Sequence, residues 1–289
     1  MFQLKIEQCM CDEVELLSEV LEGMGALSLT MTDRYDSPIL EPDIGTTPLW
    51  SDVVIHALYA NAHDAQMVSS FLSRTYPHLQ VMLEGVPDKD WERECMVDFK
   101  PQQYGQRLWV CPSWHTPPDP EAVNLILDPG LAFGTGTHPT TSLCLTWLEQ
   151  ADLKQKRIID YGCGSGILAL AALKLGASHV DAVDLDEQAL IATRHNAQSN
   201  QIPETVLTVS QPTVLKQPVD IVIANILLTP LLQLKHEFCQ LLKPEGILVV
   251  SGVLNEQVEQ LISAYQALFS HQATFTENEW SLIVFSRVC

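Results

Sequence analysis

The chain has 289 residues, 46% apolar and 18% charged, which allows two domains with proper hydrophobic cores. It holds no apolar run long enough to span a membrane, and its net charge of −20 argues against direct binding to DNA or RNA, which calls for a basic face. Eight cysteines are scattered with only Cys9 and Cys11 close together, so no zinc site is expected; unpaired thiols and the absence of a leader-like segment at Met1–Glu7 point to the cytoplasm.

Phe2 to Gln8 alternates apolar and polar residues and reads as a half-buried strand. Asp12 and Glu15 have the spacing of a capping box, followed by the apolar stripe Leu16, Leu17, Val20, Leu21 and Met24. Strands are expected over 26–32, 53–59 and 79–83, with a second amphipathic helix over 64–76. The order β-α-β, loop, β-α-β predicts a small α+β domain of ferredoxin-like type over residues 1–90. Residues 1–95 carry 17 acids and 5 bases, a balance of −12 that suits a basic protein partner as well as plain solubility. No catalytic constellation lies here, so recognition or dimerisation is the expected role.

Residues 91–122 read as a linker. A helix is expected over 88–96 and a strand over 106–111, and four prolines follow, at 112, 117, 118 and 120. Residues 123–289 form the main domain. A strand near Leu125–Leu127 leads into the glycine-rich run Asp128-Pro129-Gly130-Leu131-Ala132-Phe133-Gly134-Thr135-Gly136-Thr137-His138, and Pro139 opens a helix to about Gln150. Strands and helices then alternate. The expected strands are 157–161, 179–184, 205–209, 219–224 and 246–250, closed by a hairpin of 272–277 with 281–286. This predicts an α/β, Rossmann-like, doubly wound and mostly parallel seven-stranded sheet with a terminal antiparallel hairpin.

Asp160-Tyr161-Gly162-Cys163-Gly164-Ser165-Gly166 follows the first of these strands, and Asp184 ends the second, 22 residues after Gly162. Glycines let a backbone approach a ligand, and the later acid accepts hydrogen bonds from ribose hydroxyls. Gly164 to Ala169 also satisfies a dinucleotide fingerprint. Asp160, however, would repel a pyrophosphate and attract a cationic methionine moiety. Three alternating glycines after an acid are the pattern of S-adenosylmethionine methyltransferases. Asn225 ends the strand 219–224, where open α/β sheets bind ligands; it is also a plausible helix cap. An NAD-type oxidoreductase and a non-catalytic cofactor-binding assembly protein remain the alternatives.

With these motifs the chain resembles the bacterial ribosomal protein L-eleven methyltransferases. The similarity is most specific over Leu127–Thr141, and extends to Leu108–Trp114, Asp160–Leu168 and Ala224–Leu227. It implies a substrate-recognition domain, a linker and a catalytic domain. It also implies methylation of lysine ε-amines and the N-terminal α-amine of one large-subunit ribosomal protein. Cofactor contacts are implied at Thr141, Gly162, Asp184 and Asn225. From its place at the strand end, Asn225 is also expected to be the catalytic residue, orienting the amine. Asp160, Gly164, Gly136 and Phe133 complete the expected cofactor site, the last two from a loop that closes over it. His138 and Trp280 are expected to serve packing rather than chemistry. No metal, membrane or nucleic acid is expected, and the protein should act as a monomer.

Overall fold

The computed structural model describes residues 1–35, 37, 39–40, 46–87, 99–128, 136–215 and 217–288. The chain divides into two compact units, Met1–Trp91 and Glu92–Cys289.

The first unit runs β1 (Phe2–Met10), α1 (Val14–Gly23), β2 (Ser28–Asp33), β3 (Asp52–Tyr59), α2 (Ala62–Thr75) and β4 (Gln80–Gly85). Its sheet has the order β2-β3-β1-β4, with every neighbouring pair antiparallel. Each βαβ unit is thus split by a strand of the other. Alternation decides the packing: Leu4 and Ile6 of β1 and Val53, Ile55, Ala57 and Tyr59 of β3 are buried. They join Leu17 and Leu21 of α1 and Ala65, Val68 and Leu72 of α2 in one core.

The helix starts differ from the capping patterns read in the sequence. Helix α1 begins at Val14 after Glu13, with no side-chain cap, so Asp12 does not cap it. Glu13 Oε2 instead accepts the Met10 N–H at 3.1 Å, holding the turn. Helix α2 begins at Ala62 because Asn61 Oδ1 accepts the Asp64 N–H at 3.0 Å, a local bond that fixes the first turn.

The second unit opens with β5 (Gln102–Tyr104), β6 (Leu108–Cys111) and β7 (Val123–Ile126), a small sheet in which β5 and β6 are antiparallel and β6 and β7 parallel. Residues 102–111 fall within the stretch read as a linker, yet Tyr104, Leu108 and Val110 enter the core of the second unit. Arg107 Nε donates to Glu149 Oε1 at 2.8 Å, tying the same stretch to the helix that follows. Buried apolar side chains, rather than the prolines beside them, set the behaviour of this segment. The helix expected over 88–96 lies outside the described residues.

The chain continues with α3 (Pro139–Gln150), β8 (Arg157–Tyr161), α4 (Ile167–Lys174), β9 (His179–Val183), α5 (Glu187–Ser199) and β10 (Leu207–Ser210). Next come β11 (Val219–Asn225), α6 (Leu228–Leu241), β12 (Leu242–Leu254), α7 (Val258–Tyr265), β13 (Phe269–Glu277) and β14 (Trp280–Arg287). The seven strands from β8 onward form one sheet in the order β10-β9-β8-β11-β12-β14-β13. Pairs from β10 to β12 are parallel, and β14 is antiparallel to both β12 and β13.

Consecutive strand residues face opposite cores. Ile158, Ile221 and Ile223 pack on one face, while Ile159, Val222 and Ala224 pack on the other. This is why these strands read as unbroken apolar runs. The chain winds outward from β8 through β9 and β10, then restarts at β11 on the other side. The crevice between the carboxyl ends of β8 and β11 is the switch point where such sheets bind ligands. No helix among the described residues is long and apolar enough to cross a membrane.

Candidate active site

A cavity of about 520 Å³ opens at this switch point. Its size suits a nucleoside-sized ligand. Thr141, Gly162, Gly164, Asp184 and Asn225 line it together with Tyr161, Cys163, Ile226 and Leu234. Five of the eight residues expected to hold cofactor therefore meet at one place.

Tyr161 ends β8, and the chain turns through Gly162 at φ +79°. Both the Gly162 and Cys163 amides donate to Val183 O, at 2.8 and 3.0 Å, binding the turn to β9. A Cβ on Gly162 would come within 2.5 Å of Ile226 Cγ2. Gly252, at φ +82°, packs on the backbone of the same residue; a Cβ there would lie 2.5 Å from Ile226 O. Ile226 is thus seated between two positions that only glycine can fill. Its amide donates to Ser251 O at 3.2 Å.

That seating fixes Asn225, the last residue of β11. Its Nδ2 donates to Thr141 Oγ1 at 3.4 Å, joining the end of β11 to the first turn of α3, where Thr141 is buried. Asn225 does not cap α6: that helix starts at Leu228 after Leu227, with no side-chain cap. The cap reading fails because the chain spends two more residues, Ile226 and Leu227, before turning helical.

Asp184 lies just past β9. Its Oδ2 accepts the Gly164 N–H at 3.0 Å and its Oδ1 the Asp186 N–H at 3.0 Å. Each oxygen keeps a second lone pair for a ligand hydroxyl. The loop is braced from behind by α5. Thr193 Oγ1 donates to Gly164 O at 3.0 Å, and Asn196 Nδ2 to Ser165 O at 2.9 Å.

Asp160 is not among the residues lining the cavity. It lies buried, with Oδ2 accepting the Ala169 N–H of α4 at 3.0 Å and Oδ1 lacking any partner among the described residues. Burial, reinforced by the nearby Asp184, pushes its carboxyl up to about 7. Any effect it has on a ligand acts through charge rather than contact.

Gly136 also stands outside the lining residues. Its carbonyl accepts from the buried Tyr104 hydroxyl at 2.9 Å, which ties the described end of the glycine-rich loop to β5. Phe133 and Gly134 lie outside the described residues. His138 caps α3, its Nδ1 accepting the Thr140 N–H at 3.3 Å, and packs edge-on against Trp280 at 5.0 Å. Burial pulls the His138 imidazole below its ordinary value. Trp280 is itself buried.

Several lining residues escape sequence reasoning. Leu185 and Pro212 follow the ends of β9 and β10, a position that the strand-end rule could have marked. Pro230, Gln233 and Leu234 reach the cavity from α6, and only the helix packing puts them there. Among the described residues, no group of three or more His, Cys, Asp or Glu could hold a metal ion.

A family model described as "Ribosomal protein L11 methyltransferase (PrmA)" matches residues 1–288. A ribosomal protein L11 methyltransferase of Legionella pneumophila (strain Corby) is 60% identical over 285 residues, 99% of each chain. One from Hahella chejuensis is 47% identical over 268 residues, 92% of each chain. The crystal structure of a ribosomal protein L11 methylase from Lactobacillus delbrueckii subsp. bulgaricus is similar at 30% identity and a TM-score of 0.61. It is matched over its whole length by 66% of this chain. None of these relatives supports the oxidoreductase alternative. Fold, cavity and relatives agree, and the chain belongs to the ribosomal protein L11 methyltransferase family.

Proposed function

We propose that the protein transfers methyl groups from S-adenosylmethionine to lysine ε-amines and the N-terminal α-amine of ribosomal protein L11. One observation carries the reading: Gly162, Gly164, Asp184, Thr141 and Asn225 converge on a single cavity of about 520 Å³ at the switch point of the sheet. The residues present suit the cofactor. Left-handed glycines admit close backbone approach, and the carboxylate of Asp184 suits ribose hydroxyls. Thr141 and Asn225 put neutral polar groups at the opposite strand end.

S-adenosylmethionine, when bound, supplies an electrophilic methyl on a sulfonium. The protein's task is positioning and desolvation, since no covalent nucleophile is required. Asn225 spends its Nδ2 on Thr141 and keeps its side-chain oxygen to accept from the incoming amine. That amine must be neutral, although a lysine in water titrates at about 10.4. Burial against a positive ligand would lower that value. His138 is committed to capping α3, so the proton released is read as leaving to water.

The acidic first unit, which we read as ferredoxin-like, would dock the basic substrate protein. Residues 91–122, of which 102–111 pack into the second unit, would lead into a catalytic domain at 123–289. The protein is read as a cytoplasmic monomer acting on protein rather than nucleic acid, consistent with a net charge of −20. The test is transfer of labelled methyl from S-adenosylmethionine to purified ribosomal protein L11, with the modified amines located by mass spectrometry. Label on lysines and the α-amine is the expected result. Absence of label, alongside tight binding of the cofactor by calorimetry, would overturn the substrate.

A further inference from the structure

Asp160 is a buried titratable group that binding contacts alone leave unexplained. It occupies the carboxyl end of β8, directly before the loop that lines the cavity. Its Oδ2 is held by the Ala169 amide, and its buried Oδ1 has no partner among the described residues. Among the described residues, the charged group that acts on it is another acid. From just past β9 comes Asp184, from α3 Cys144 and from the loop Cys163, all interacting with it electrostatically. Neighbouring β11 pairs with it through Ile223, and α4 faces it with the amide already named.

A buried carboxyl without a counter-charge favours its protonated form. The burial and the nearness of Asp184 raise this one to about 7. Its chain neighbours Tyr161, Gly162 and Cys163 line the cavity, so a charge arriving there changes the balance. A sulfonium is cationic; the thioether left after methyl transfer is neutral.

We infer that Asp160 is a specificity-determining residue that senses charge in the cavity. It releases its proton when the sulfonium cofactor binds and retains it when the neutral-sulfur product binds. The inference rests on the cofactor reading above. The step balances simply: the O–H bond of the Asp160 carboxyl breaks, its electron pair stays on oxygen, and the proton passes to solvent. No bond of the ligand changes. After methyl transfer the carboxylate has lost its counter-charge and takes a proton back. The sign follows. Below neutrality the cofactor must expel a proton to bind, and above it the carboxylate is already formed. Preference for cofactor over product therefore grows as pH rises towards 7 and levels off beyond.

The test is calorimetry of the full chain with S-adenosylmethionine and S-adenosylhomocysteine from pH 5.5 to 8.5, in buffers of different ionisation enthalpy that count protons. The wild type should release more protons with the cofactor than with the product. The cofactor-to-product affinity ratio should fall by up to about tenfold per pH unit below neutrality, the limit for one linked proton. Asp160→Asn subtracts the ligands' own ionisation. It should flatten the ratio and weaken the cofactor about tenfold or more, with the product within about twofold. Infrared difference spectra of the wild type give a readout independent of any variant. A buried protonated carboxyl band should vanish with the cofactor and persist with the product. Binding of both ligands with equal proton release and a pH-independent ratio would overturn the inference alone. Failure of both ligands to bind would overturn the cofactor reading, and the inference with it.

Discussion

β8 and β9 lie side by side, and each delivers an aspartate to the same loop, but the two carboxylates do different work. Register explains the difference. Asp160 pairs with Ala182, so Asp184 stands two residues further along the sheet than Asp160. The longer reach brings Asp184 into the cavity, where it holds the Gly164 and Asp186 amides. The shorter reach leaves Asp160 beneath the loop, tied to Ala169. Whether an acid at a strand end touches a ligand is decided by its place relative to the neighbouring strand, not by residue type.

The largest test of this contrast is Asp184→Ala. Asp184 is the proposed ribose acceptor and holds the loop amide, so on that reading cofactor affinity should fall by about 2–3 kcal/mol. Titration calorimetry measures it, and unchanged affinity would sink the ribose assignment. Gly252→Ala asks whether the far side of the crevice depends on backbone seating as closely as the loop does. The left-handed backbone and the 2.5 Å approach to Ile226 O should cost about 2 kcal/mol of stability. Methyl transfer should fall with it as Asn225 shifts. A variant with wild-type melting temperature and kcat would show that the seating is slack.

A further contrast separates the two aspartates in the free protein. The folded-state value of Asp160 is raised, so this group favours folding below the ordinary carboxylate range. That contribution is lost as pH rises towards about 7. Asp160→Asn should therefore gain in melting temperature relative to wild type between pH 5 and pH 8, with no ligand present. Parallel melting curves across that window would contradict the buried, uncompensated carboxyl. The smallest change is Tyr104→Phe, which loses the donor to Gly136 O at about 1 kcal/mol. Amide exchange at Gly136–His138 should quicken while the rest of the second unit is unaffected. If protection there is unchanged, the anchor is not what orders this end of the loop.

Much of the second unit was legible because its signals are local. Unbroken apolar runs mark buried parallel strands, glycines mark the turn after Tyr161, and the Gly162–Asp184 spacing marks the βαβ unit. The role of Asp160 was harder. In sequence it reads as a group facing the ligand, and only the packing of α4 shows what occupies its oxygen. Asn225 offered two roles until the two residues after it proved non-helical. Gln233 and Leu234 give no signal, because nothing local says which turn of α6 faces the crevice. In the first unit, Asp12 met the capping pattern, but the bond from Glu13 to Met10 moved the helix start. Residues 102–111 looked like connector because prolines follow them; their burial depends on partners far along the chain.

One feature of the sheet bears on how the protein is made. β14 lies between β12 and β13, although β13 is synthesised first. On the ribosome β13 emerges with no neighbour to pair with, and the edge of β12 that will receive β14 stays open. Leu282, Ile283 and Phe285 then arrive together to close both faces of the sheet. Until β14 is in place, the edge of β12 presents unpaired backbone N–H and C=O groups, so the order of strands in the chain and in the sheet must be reconciled before the second unit can close.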